Sequence, residues 1–469
     1  MNNLIPYNGS IHLTNIGGIG MSAIAEMLHH FGATVQGSEE FLNKNTDRLS
    51  QKNIKVFQES SKDNMKDVKI LIISSATRDD NPELIYAKEN NIRTFHRSEM
   101  LAEIMKLNNS IAIAGTHGKT TTTSITGVML DKAGIDPNII NGGIINEYES
   151  NCKTGEGDWT VVEADESDGS FLKLPKKICV VTNIEAEHME NYRDFDDMKD
   201  KYVEFIENID EGGFAVLCKE CGEIKEILPR IKNTEVITYG FSDDVDVQAI
   251  NVKEKPEGSY FDIVTSNKFN NEKIENIFIK LNGKHNIANS LSSFAICLRL
   301  GFDLDKAKTS LENFGGVQRR FTQTGVVNGI KIIDDYGHHP SEIKAVLNSA
   351  TKIIDQKQNK IIAVFQPHKF SRVKSLFNEF SVCFDKANSV IVADIYAAGE
   401  APLDGINKNT IADAITKTGH NDVCSLNNES ELANIVSKKA KSGDLVICFG
   451  AGTITNWAHD LPGELENLL

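Results

Sequence analysis

The sequence IAIAGTHGKTTTT, which runs from Ile111 to Thr123, combines a strand pattern, a glycine turn and a helix start. Its first four residues are small or apolar and predict a buried strand, and the threonine-rich run after Lys119 can begin a helix. Glycines between such elements let backbone N–H groups approach phosphate oxygens, the lysine supplies charge for β- and γ-phosphates, and a threonine hydroxyl can bind Mg²⁺. The stretch therefore predicts a nucleoside-triphosphate site formed by Gly115, Thr116, His117, Gly118, Lys119, Thr120 and Thr121.

This loop is shorter than the common phosphate loop, which would place a glycine where the chain has Ile113. The alternative is an ordinary glycine turn that precedes a helix and exposes its lysine. The order of strand, turn and helix favours the phosphate site, so the sequence predicts a variant phosphate loop.

Length and composition limit the classes of protein. The 469 residues exceed what one hydrophobic core supports and predict two to four domains. A formal net charge of -16 without a long Lys/Arg run argues against nucleic acid as the main partner. Local lysines and helix N-termini can still bind an anionic small molecule.

The sequence also predicts a cytoplasmic location. No apolar run reaches the roughly 18 residues that a membrane span needs. Residues 1–6 lack the pattern of a secretory signal. The eight cysteines are scattered, which fits a reduced protein, and Cys218 and Cys221 are interpreted as structural rather than zinc-binding or redox-active.

Strand and helix patterns alternate along the chain, which predicts α/β domains with parallel, doubly wound sheets. Polar residues 107–110 separate a first segment from the phosphate loop, and an alternating region at 247–281 predicts a small antiparallel β portion. The predicted domains are 1–108, 109–315 and 316–469. Their main predicted strands lie at 11–16, 34–36, 68–76, 111–114, 159–163, 178–182, 330–333, 361–365, 390–393 and 445–449.

Two strand ends in the second segment carry groups that can hold metal ions. Glu163 ends a strand and begins an acidic run that continues through Asp165, Glu166 and Asp168, and His188 follows the next strand. Ligands in open α/β sheets bind beyond the carboxyl ends of strands, and a phosphate-bound Mg²⁺ takes one or two carboxylates. Glu163 and His188 are therefore candidate ligands for two cations that clamp a phosphoryl group. The alternatives are a solvated acidic loop and a structural histidine.

Further polar groups recur at a predicted helix start and at strand ends of the third segment. His285, Asn286 and Asn289 offer donors and acceptors on the first turn of a helix, either as part of a site or as a simple cap. The third segment carries Arg319, Arg320, Asp334, Asp335, Tyr336, His338, His339, His368, Arg372, Asp394, Tyr396 and Gly450 next to its strands. Because parallel strands end at one edge of a sheet, these residues predict one site, with arginines suited to phosphate or carboxylate.

The N-terminal glycine turn permits a different interpretation. Asn15-x-Gly17-x-x-Gly20 approximates the dinucleotide-binding Gly-x-Gly-x-x-Gly pattern, and Glu39 follows the second predicted strand. On its own the turn predicts that a diphosphate binds at a helix N-terminus, and it leaves a nicotinamide-dependent oxidoreductase open. That alternative does not account for the phosphate loop and the acidic run.

Taken together, these motifs resemble the ATP-dependent Mur ligase family. The resemblance spans nearly the whole chain in family order and rests on residues 17–22, 115–121, 163–168, 182–185, 188, 283–286, 316–321, 334–340 and 365–368. It implies an N-terminal Rossmann-like domain for a UDP-sugar and a central P-loop-type domain for ATP. A C-terminal Rossmann-like domain is expected to close over both.

The resemblance also implies roles for individual residues. Lys119 contacts the β- and γ-phosphates, Thr120 binds a first Mg²⁺, and Glu163 and His188 bind a second, with Mn²⁺ as an alternative metal. The nucleotide is also expected near His285, Asn286, Asn289, Arg320 and Asp335. The expected catalytic residues are Lys119, Arg320, His338 and Arg372, the last two near the amino acid and the acyl phosphate. The UDP-sugar is expected near Gly17, Gly18, Ile19, Gly20, Met21, Ser75, His96 and Arg97.

Two positions depart from the family pattern. Asn15 stands where the family usually has glycine, and Glu39 stands where it usually has aspartate. Asparagine tolerates left-handed backbone angles and glutamate keeps the charge, so we expect altered detail in the UDP-sugar site rather than loss of binding. Lys199 and Lys201 follow His188, but neither clearly matches the carbamylated lysine of related ligases.

The function that the resemblance implies is ATP-dependent ligation of L-alanine to the lactyl carboxylate of UDP-N-acetylmuramate, in peptidoglycan precursor synthesis. The reaction passes through an acyl phosphate and needs charge neutralisation and alignment more than a protein nucleophile. The expected partners are small-molecule substrates, without nucleic acid or membrane, in a monomer or homodimer. A family member that attaches a recycled tripeptide and a non-catalytic nucleotide-binding regulator stay open as alternatives.

Overall fold

The computed structural model describes residues 9–167 and 169–468, so residues 1–6 and Asp168 of the acidic run lie outside the described residues. The chain divides into two compact units. The first comprises the described chain up to Ile250 together with Asp262–Ile277 and Ala288–Gly315. The second comprises Asn251–Phe261, Phe278–Ile287 and the described chain from Gly316 onward. The predicted limit at residue 108 falls inside the first unit, and the domain limits stay predictions.

The N-terminal part of the first unit is a parallel sheet with helices. Its strands are β1 (Ser10–Leu13), β2 (Val35–Ser38), β3 (Lys55–Phe57), β4 (Val68–Ile73) and β5 (Arg93–His96). Its helices are α1 (Ile19–His30), α2 (Lys44–Gln51), α3 (Pro82–Glu89) and α4 (Arg97–Met105). The strand order is β3-β2-β1-β4-β5, and all four pairings are parallel. The order reverses between β1 and β4, where doubly wound sheets bind ligands beyond their strand ends.

The following part of the chain forms a ten-stranded sheet. Its strands are β6 (Asn109–Ala114), β7 (Asn138–Ile145), β8 (Ser150–Lys153), β9 (Trp159–Glu163), β10 (Ile178–Val181), β11 (Phe214–Cys218), β12 (Glu235–Gly240), β13 (Val247–Lys255), β14 (Gly258–Thr265) and β15 (Lys273–Ile279). The order is β15-β14-β13-β12-β11-β10-β6-β9-β7-β8. Strands β9, β6, β10, β11 and β12 pair in parallel, whereas β7 and β8 pair antiparallel.

The helices of this part are α5 (Lys119–Lys132), α6 (Phe195–Glu207), α7 (Gly222–Ile227), α8 (Lys284–Leu300) and α9 (Leu304–Asn313). Strand β6 lies between β9 and β10, so the strand that leads into the phosphate loop has the ends of β9 and β10 on either side. This arrangement confirms the expectation that Glu163 and residues 182–185 lie at the same edge of the sheet as the loop.

The C-terminal part of the second unit is a six-stranded sheet. Its strands are β16 (Thr322–Val327), β17 (Ile330–Asp335), β18 (Ile361–Phe365), β19 (Ser389–Val392), β20 (Val423–Ser425) and β21 (Leu445–Phe449). Its helices are α10 (Pro340–Ile353), α11 (Phe370–Ser375), α12 (Phe377–Val382), α13 (Lys408–Lys417), α14 (Leu432–Lys439) and α15 (Ile454–Glu466). The order is β16-β17-β21-β18-β19-β20, and only the β16–β17 pairing among these described strands is antiparallel.

Both faces of this C-terminal sheet are buried. Consecutive residues of one strand belong to separate core clusters, with Ile332 in one and Ile333 in the other. The strands are therefore continuous apolar runs rather than alternating patterns, as expected for a sheet covered by helices on both faces. Among the helices of the described residues, none is both long enough and apolar enough to cross a membrane.

The predicted strands at 11–16 and 68–76 each extend beyond the observed strands β1 and β4. The sequence predicted a strand at 68–76, but β4 ends at Ile73. Ser74 leaves the sheet because its hydroxyl donates to Asn15 Oδ1 at 3.0 Å and its N–H donates to Thr77 Oγ1 at 3.1 Å. This turn places Ser74 and Ser75 beyond the strand end, beside the N-terminal glycine turn.

Candidate active site

The phosphate loop joins β6 to α5 through two glycines with unusual backbone angles. Gly115 has φ +130° and Gly118 has φ +83°, a region that favours glycine. A Cβ on Gly115 would lie 2.1 Å from Thr182 Oγ1, and a Cβ on Gly118 would lie 2.8 Å from Asn289 Oδ1. Both glycines are therefore required by close approach as well as by conformation, and Asn289 lies against the loop. Its contact with the nucleotide stays a prediction.

The end of β10 holds the loop in place. Thr182 Oγ1 donates to the His117 carbonyl at 2.6 Å, and Asn183 Oδ1 accepts the His117 N–H at 2.8 Å. The Glu185 N–H donates to Thr116 Oγ1 at 2.8 Å. The loop conformation is thus fixed by residues that directly follow β10 and lie about 65 positions beyond the loop in the sequence, and not by the loop alone.

Lys119 is turned back over its own loop. Its Nζ donates to the carbonyls of Gly115 at 2.6 Å and Thr116 at 3.0 Å, and it contacts both carboxylate oxygens of Glu166 at 2.8 and 2.9 Å. The Lys119 side chain is 13% exposed and that of Glu166 is 1% exposed. The alternative of an exposed lysine after an ordinary glycine turn is therefore wrong.

Burial and charge act in opposite directions on this pair. Burial lowers the pKa of Lys119, but the carboxylates of Glu166 and Glu163 outweigh it and raise that pKa. Burial raises the pKa of Glu166, and the charge of Lys119 opposes this shift. Sequence reasoning placed Glu166 in the acidic run but did not identify it as the partner of Lys119.

Thr120 and Glu163 form an oxygen pair suited to a hard cation. Thr120 Oγ1 donates to Glu163 Oε1 at 3.1 Å, and the other carboxylate oxygen accepts the Gly142 N–H at 2.8 Å. Hydroxyl and carboxylate oxygens are the ligands that Mg²⁺ prefers, so these residues fit a phosphate-bound Mg²⁺. His188 has φ +56° and its Nε2 lies 3.9 Å from Glu187 Oε1. Its role as a ligand of a second ion stays a prediction.

Two helices at the predicted phosphate sites have glycine as their N-cap residue. Gly18 caps α1 and Gly118 caps α5, and neither cap supplies a side-chain hydrogen bond to the helix. The first N–H groups of a helix have no partner within that helix. At the starts of α1 and α5, the N-cap residue offers them no side-chain acceptor either. An anion can bind there.

The predicted UDP-sugar residues meet at the ends of β1, β4 and β5. A Cβ on Gly20 would lie 3.1 Å from Arg97 Nη1, and His96 Nε2 lies 3.2 Å from Ser75 Oγ. Met21 is 2% exposed, so a ligand would meet its backbone rather than its side chain. Arg97 Nη2 also donates to Asp165 Oδ2 at 3.4 Å, which links this turn to the acidic run of the phosphate site.

The two departures from the family pattern have clear structural positions. Asn15 has φ +49°, so it adopts the left-handed conformation that was expected to favour asparagine. Glu39 Oε2 accepts the Gly17 N–H at 2.9 Å. Glu39 therefore stabilises the glycine turn itself.

In the second unit, Asp335 ends β17 and organises the backbone around it. Its two carboxylate oxygens accept the N–H groups of Phe321 and Gly337, each at 2.8 Å. Burial raises the pKa of Asp335 to about 6, and the Arg320 guanidinium opposes the shift. His285 and Asn286 also belong to this unit, and Asn286 Nδ2 donates to the Asn282 carbonyl at 2.8 Å.

Glu342, in the first turn of α10, contacts two of the predicted catalytic residues, His338 and Arg320. Glu342 Oε2 accepts the N–H groups of His338 at 3.0 Å and His339 at 3.2 Å. Its other oxygen lies 3.6 Å from Arg320 Nη1. Sequence reasoning did not identify Glu342, although its spacing after His339 is that of a capping box.

Aromatic rings join the ends of β17, β18 and β19. The rings of His338 and His368 are 5.8 Å apart, and His368 stacks on Tyr396 at 5.6 Å. Arg372 Nη1 lies 3.2 Å from His368 Nδ1. Burial, His338 and Arg372 together lower the pKa of His368 to about 4, so its ring is neutral at pH 7. The predicted site at this edge therefore includes His368 and Tyr396 beside His338 and Arg372.

These features define a class before they define a family: an α/β protein that binds a nucleoside triphosphate next to a second, diphosphate-type glycine turn. Three family models match the chain along its length. The Mur ligase family catalytic domain matches residues 10–109, the Mur ligase middle domain matches 113–297, and the Mur ligase glutamate ligase domain matches 319–452. The chain belongs to the Mur ligase family.

Full-length relatives indicate which ligase of the family the chain resembles. The chain is 44% identical to UDP-N-acetylmuramate–L-alanine ligase of Caulobacter sp. (strain K31), over 99% of this chain and 98% of that protein. It is 46% identical to the ligase of the same name from Bradyrhizobium diazoefficiens, over 98% of each. The crystal structure of UDP-N-acetylmuramate-alanine ligase MurC from Thermotoga maritima has a TM-score of 0.82 and 26% identity, over 98% of this chain and all of that one.

The comparisons settle several expectations. The three-domain α/β fold and the resemblance to Mur ligases are confirmed. Mur ligases are ATP-dependent ligases, so the nicotinamide-dependent oxidoreductase and the non-catalytic regulator are no longer alternatives.

Proposed function

We propose that the chain joins L-alanine to the lactyl carboxylate of UDP-N-acetylmuramate, with cleavage of ATP to ADP and phosphate. The observation that carries this proposal is the contact of Arg97 with Asp165. It connects the turn assigned to the UDP-sugar with the acidic run beside the phosphate loop, so the carboxylate and the γ-phosphate have adjacent sites within one unit. Relatives that carry the name of this ligase along their whole length support the same assignment.

The first step is phosphoryl transfer. A lactyl carboxylate oxygen attacks the γ-phosphorus, the bond from that phosphorus to the bridging β-phosphate oxygen breaks, and ADP leaves with the electron pair. Such a transition state needs neutralised charge and alignment more than covalent help. Lys119 carries its charge at the loop because three groups hold its ammonium there, and the uncapped start of α5 supplies backbone donors.

Thr120 is assigned to a first Mg²⁺, and Glu163 and His188 are assigned to a second ion. A bound Mg²⁺ would neutralise phosphate charge during the transfer. The Thr120 hydroxyl and a Glu163 carboxylate oxygen lie 3.1 Å apart, which supports cation binding at these two residues.

The second step forms the amide. The ammonium group of L-alanine loses one proton to give the free amine, which attacks the carbonyl carbon of the acyl phosphate. The tetrahedral intermediate then loses a second proton from nitrogen and expels inorganic phosphate. We assign His338 and Arg372 to the amino acid and the acyl phosphate, and Arg320, Asp335, His285, Asn286 and Asn289 to the nucleotide. The buried Asp335 and the fixed first turn of α10 support these roles by holding Arg320 and His338 in defined positions.

We also assign the protein to the cytoplasm, as a monomer or homodimer that acts on small molecules and not on nucleic acid or membranes. All eight cysteines are free, which suits a reducing compartment.

The test is phosphate release with Mg-ATP and UDP-N-acetylmuramate, with L-alanine, glycine, L-serine or the L-Ala-D-Glu-diamino-acid tripeptide added in turn. Release that requires both the UDP-sugar and L-alanine, with loss of signal when either is omitted, is the expected result. Preference for the tripeptide would assign the protein to peptide recycling instead. Release that does not depend on the UDP-sugar would overturn the proposal.

A further inference from the structure

The side chain of Arg48 lies at the centre of a buried polar network below the N-terminal glycine turn. Its Nε donates to Glu26 Oε1 at 2.7 Å, its Nη1 donates to Asn45 Oδ1 at 3.0 Å, and its Nη2 donates to Asn151 Oδ1 at 2.7 Å. The Arg48 side chain is 16% exposed and Glu26 is 1% exposed. Each of the three guanidinium nitrogens therefore donates a hydrogen bond, an arrangement that a lysine could not reproduce.

The two asparagines connect Arg48 to the backbone of the N-terminal glycine turn. Asn45 Nδ2 donates to the Gly17 carbonyl at 2.9 Å, and Asn151 Nδ2 donates to the Ile19 carbonyl at 2.5 Å. An amide side chain has one acceptor and one donor end. Because Arg48 occupies the acceptor end of both, both must present their NH₂ groups to the turn.

Fixing the Ile19 carbonyl fixes an N–H group that a phosphate would use, whereas the Gly18 N–H after the Gly17 carbonyl already donates to the Asn15 carbonyl. In a trans peptide the C=O and the following N–H point in opposite directions. The contact of Asn151 with the Ile19 carbonyl therefore directs the Gly20 N–H away from Asn151. Gly20 lies in the first turn of α1, where N–H groups have no partner within the helix and can bind an anion.

We propose that Arg48 is a positioning residue for the UDP-sugar, which acts through Asn45 and Asn151 on the backbone of residues 17–20. The proposal rests on the proposed function, from which it takes the UDP-sugar as the ligand of this turn. Asn151 lies in β8 and Arg48 in α2, so the network also ties the turn to the ten-stranded sheet.

A variant at Arg48 can be made without leaving a lone buried charge. Glu26 Oε2 also contacts Lys52 Nζ at 3.0 Å, so Glu26 keeps a counter-ion when Arg48 is replaced. Arg48→Lys keeps the charge opposite Glu26 and removes the forked donors, and Arg48→Gln removes the charge as well. Arg299→Gln is the matched control, because Arg299 pairs with Glu235 at the surface and is 41% exposed.

The experiment is steady-state kinetics of the full-length protein with each substrate varied in turn. We expect Arg48→Lys and Arg48→Gln to raise KM for UDP-N-acetylmuramate about tenfold. The KM values for ATP and L-alanine, and kcat, should change less than about twofold. The reason is that a misplaced turn weakens binding of the UDP-sugar equally in the ground state and in the transition state. In an Asn45→Ala/Asn151→Ala background, Arg48→Gln should add less than about twofold, since its effect passes through those residues.

The outcomes separate this inference from the proposed function. A wild-type protein whose phosphate release does not depend on UDP-N-acetylmuramate overturns both. If the wild type shows that dependence, unchanged kinetics in the Arg48 variants overturn this inference alone. An equal rise in all three KM values, or a full additional effect of Arg48→Gln in the double-asparagine background, also overturns it, because each indicates general destabilisation or a separate route.

Discussion

Lys119 is assigned to the chemistry and also takes part in folding, since its ammonium group lies at the phosphate loop and is the counter-ion of the buried Glu166. We expect Lys119→Ala to lower kcat/KM for ATP by about 10³-fold, because positive charge is lost where negative charge moves. The same change should lower the free energy of unfolding by about 3–5 kcal/mol, because it leaves a buried carboxyl without its partner. ATP turnover and urea denaturation measure the two effects.

The double variant Lys119→Ala/Glu166→Gln separates these effects. It removes the uncompensated carboxyl, so most of the lost stability should return, while kcat/KM for ATP should stay about 10³-fold below that of the wild type. In Glu166→Gln alone, Lys119 keeps the carbonyls of Gly115 and Thr116, and turnover should stay within about tenfold of the wild type. Recovery of turnover in the double variant would contradict the role of Lys119.

His368 makes the stability of the second unit depend on pH. Burial, with His338 and Arg372, lowers its pKa from 6.5 to about 4, so between these values the unfolded chain binds more protons than the folded one. Its contribution to the free energy of unfolding is therefore present above pH 6.5 and falls as the pH approaches 4. We expect His368→Gln to lose less stability than the wild type between about pH 7 and about pH 5 in urea denaturation. Parallel pH curves for the two proteins would refute this.

The first turn of α10 connects a helix cap to residues assigned to catalysis, because Glu342 accepts the N–H groups of His338 and His339 and contacts Arg320. We expect Glu342→Ala to lower kcat about tenfold through misplaced groups. It should also lower the free energy of unfolding by about 1 kcal/mol through the lost cap. Glu342→Gln should recover the stability but only part of kcat, because it keeps the acceptor for the cap and lacks the charge opposite Arg320.

The control for this element is Thr410→Ala in α13, where Thr410 and Asn407 form a similar capping box. Its stability loss should match that of Glu342→Ala within about 1 kcal/mol, while kcat stays unchanged. If Thr410→Ala lowers kcat as much as Glu342→Ala does, the loss reflects helix stability and Glu342 has no positioning role.

Elements whose signals are local were predictable from sequence. Strand β6, the glycine turn and α5 are adjacent in the chain, and β18 and β21 match their predicted bounds because they are continuous apolar runs. Strand β9 also matches its predicted bounds, although its sequence WTVVE includes polar residues. The short strands β3 and β20 were not identified, since three residues carry no periodicity. Their strand state comes from pairing at the sheet edge.

The same distinction applies to the candidate sites. Lys119 and Thr120 are visible in one motif, but the partner of Lys119 lies 47 residues away and that of Arg48 lies 103 residues away at Asn151. Nothing in the local sequence of Glu166 separates it from its acidic neighbours. Its role depends on burial, which only the packed strand ends of β6, β9 and β10 create.

For the whole molecule, the net charge of -16 means that anionic substrates must be attracted locally. The groups that could do so at the first two sites, Lys119, Arg97 and the start of α1, all lie in the first unit. The residues assigned to the UDP-sugar are confined to that unit, whereas those assigned to ATP also include Arg320 and Asp335 of the second. The two substrates should therefore leave different patterns of amide protection.

Hydrogen exchange measures this difference directly. UDP-N-acetylmuramate alone should slow exchange by about tenfold or more around residues 15–21, 74–77 and 96–98, with no change across 316–469, because bound ligand suppresses local opening only where it contacts the chain. ATP with Mg²⁺ should protect residues 115–121 of the first unit. Lys119→Ala should remove the protection by ATP and leave that by the UDP-sugar intact. Protection of 316–469 by the UDP-sugar alone would contradict the assignment of its site to the first unit, since every residue of that assignment lies there.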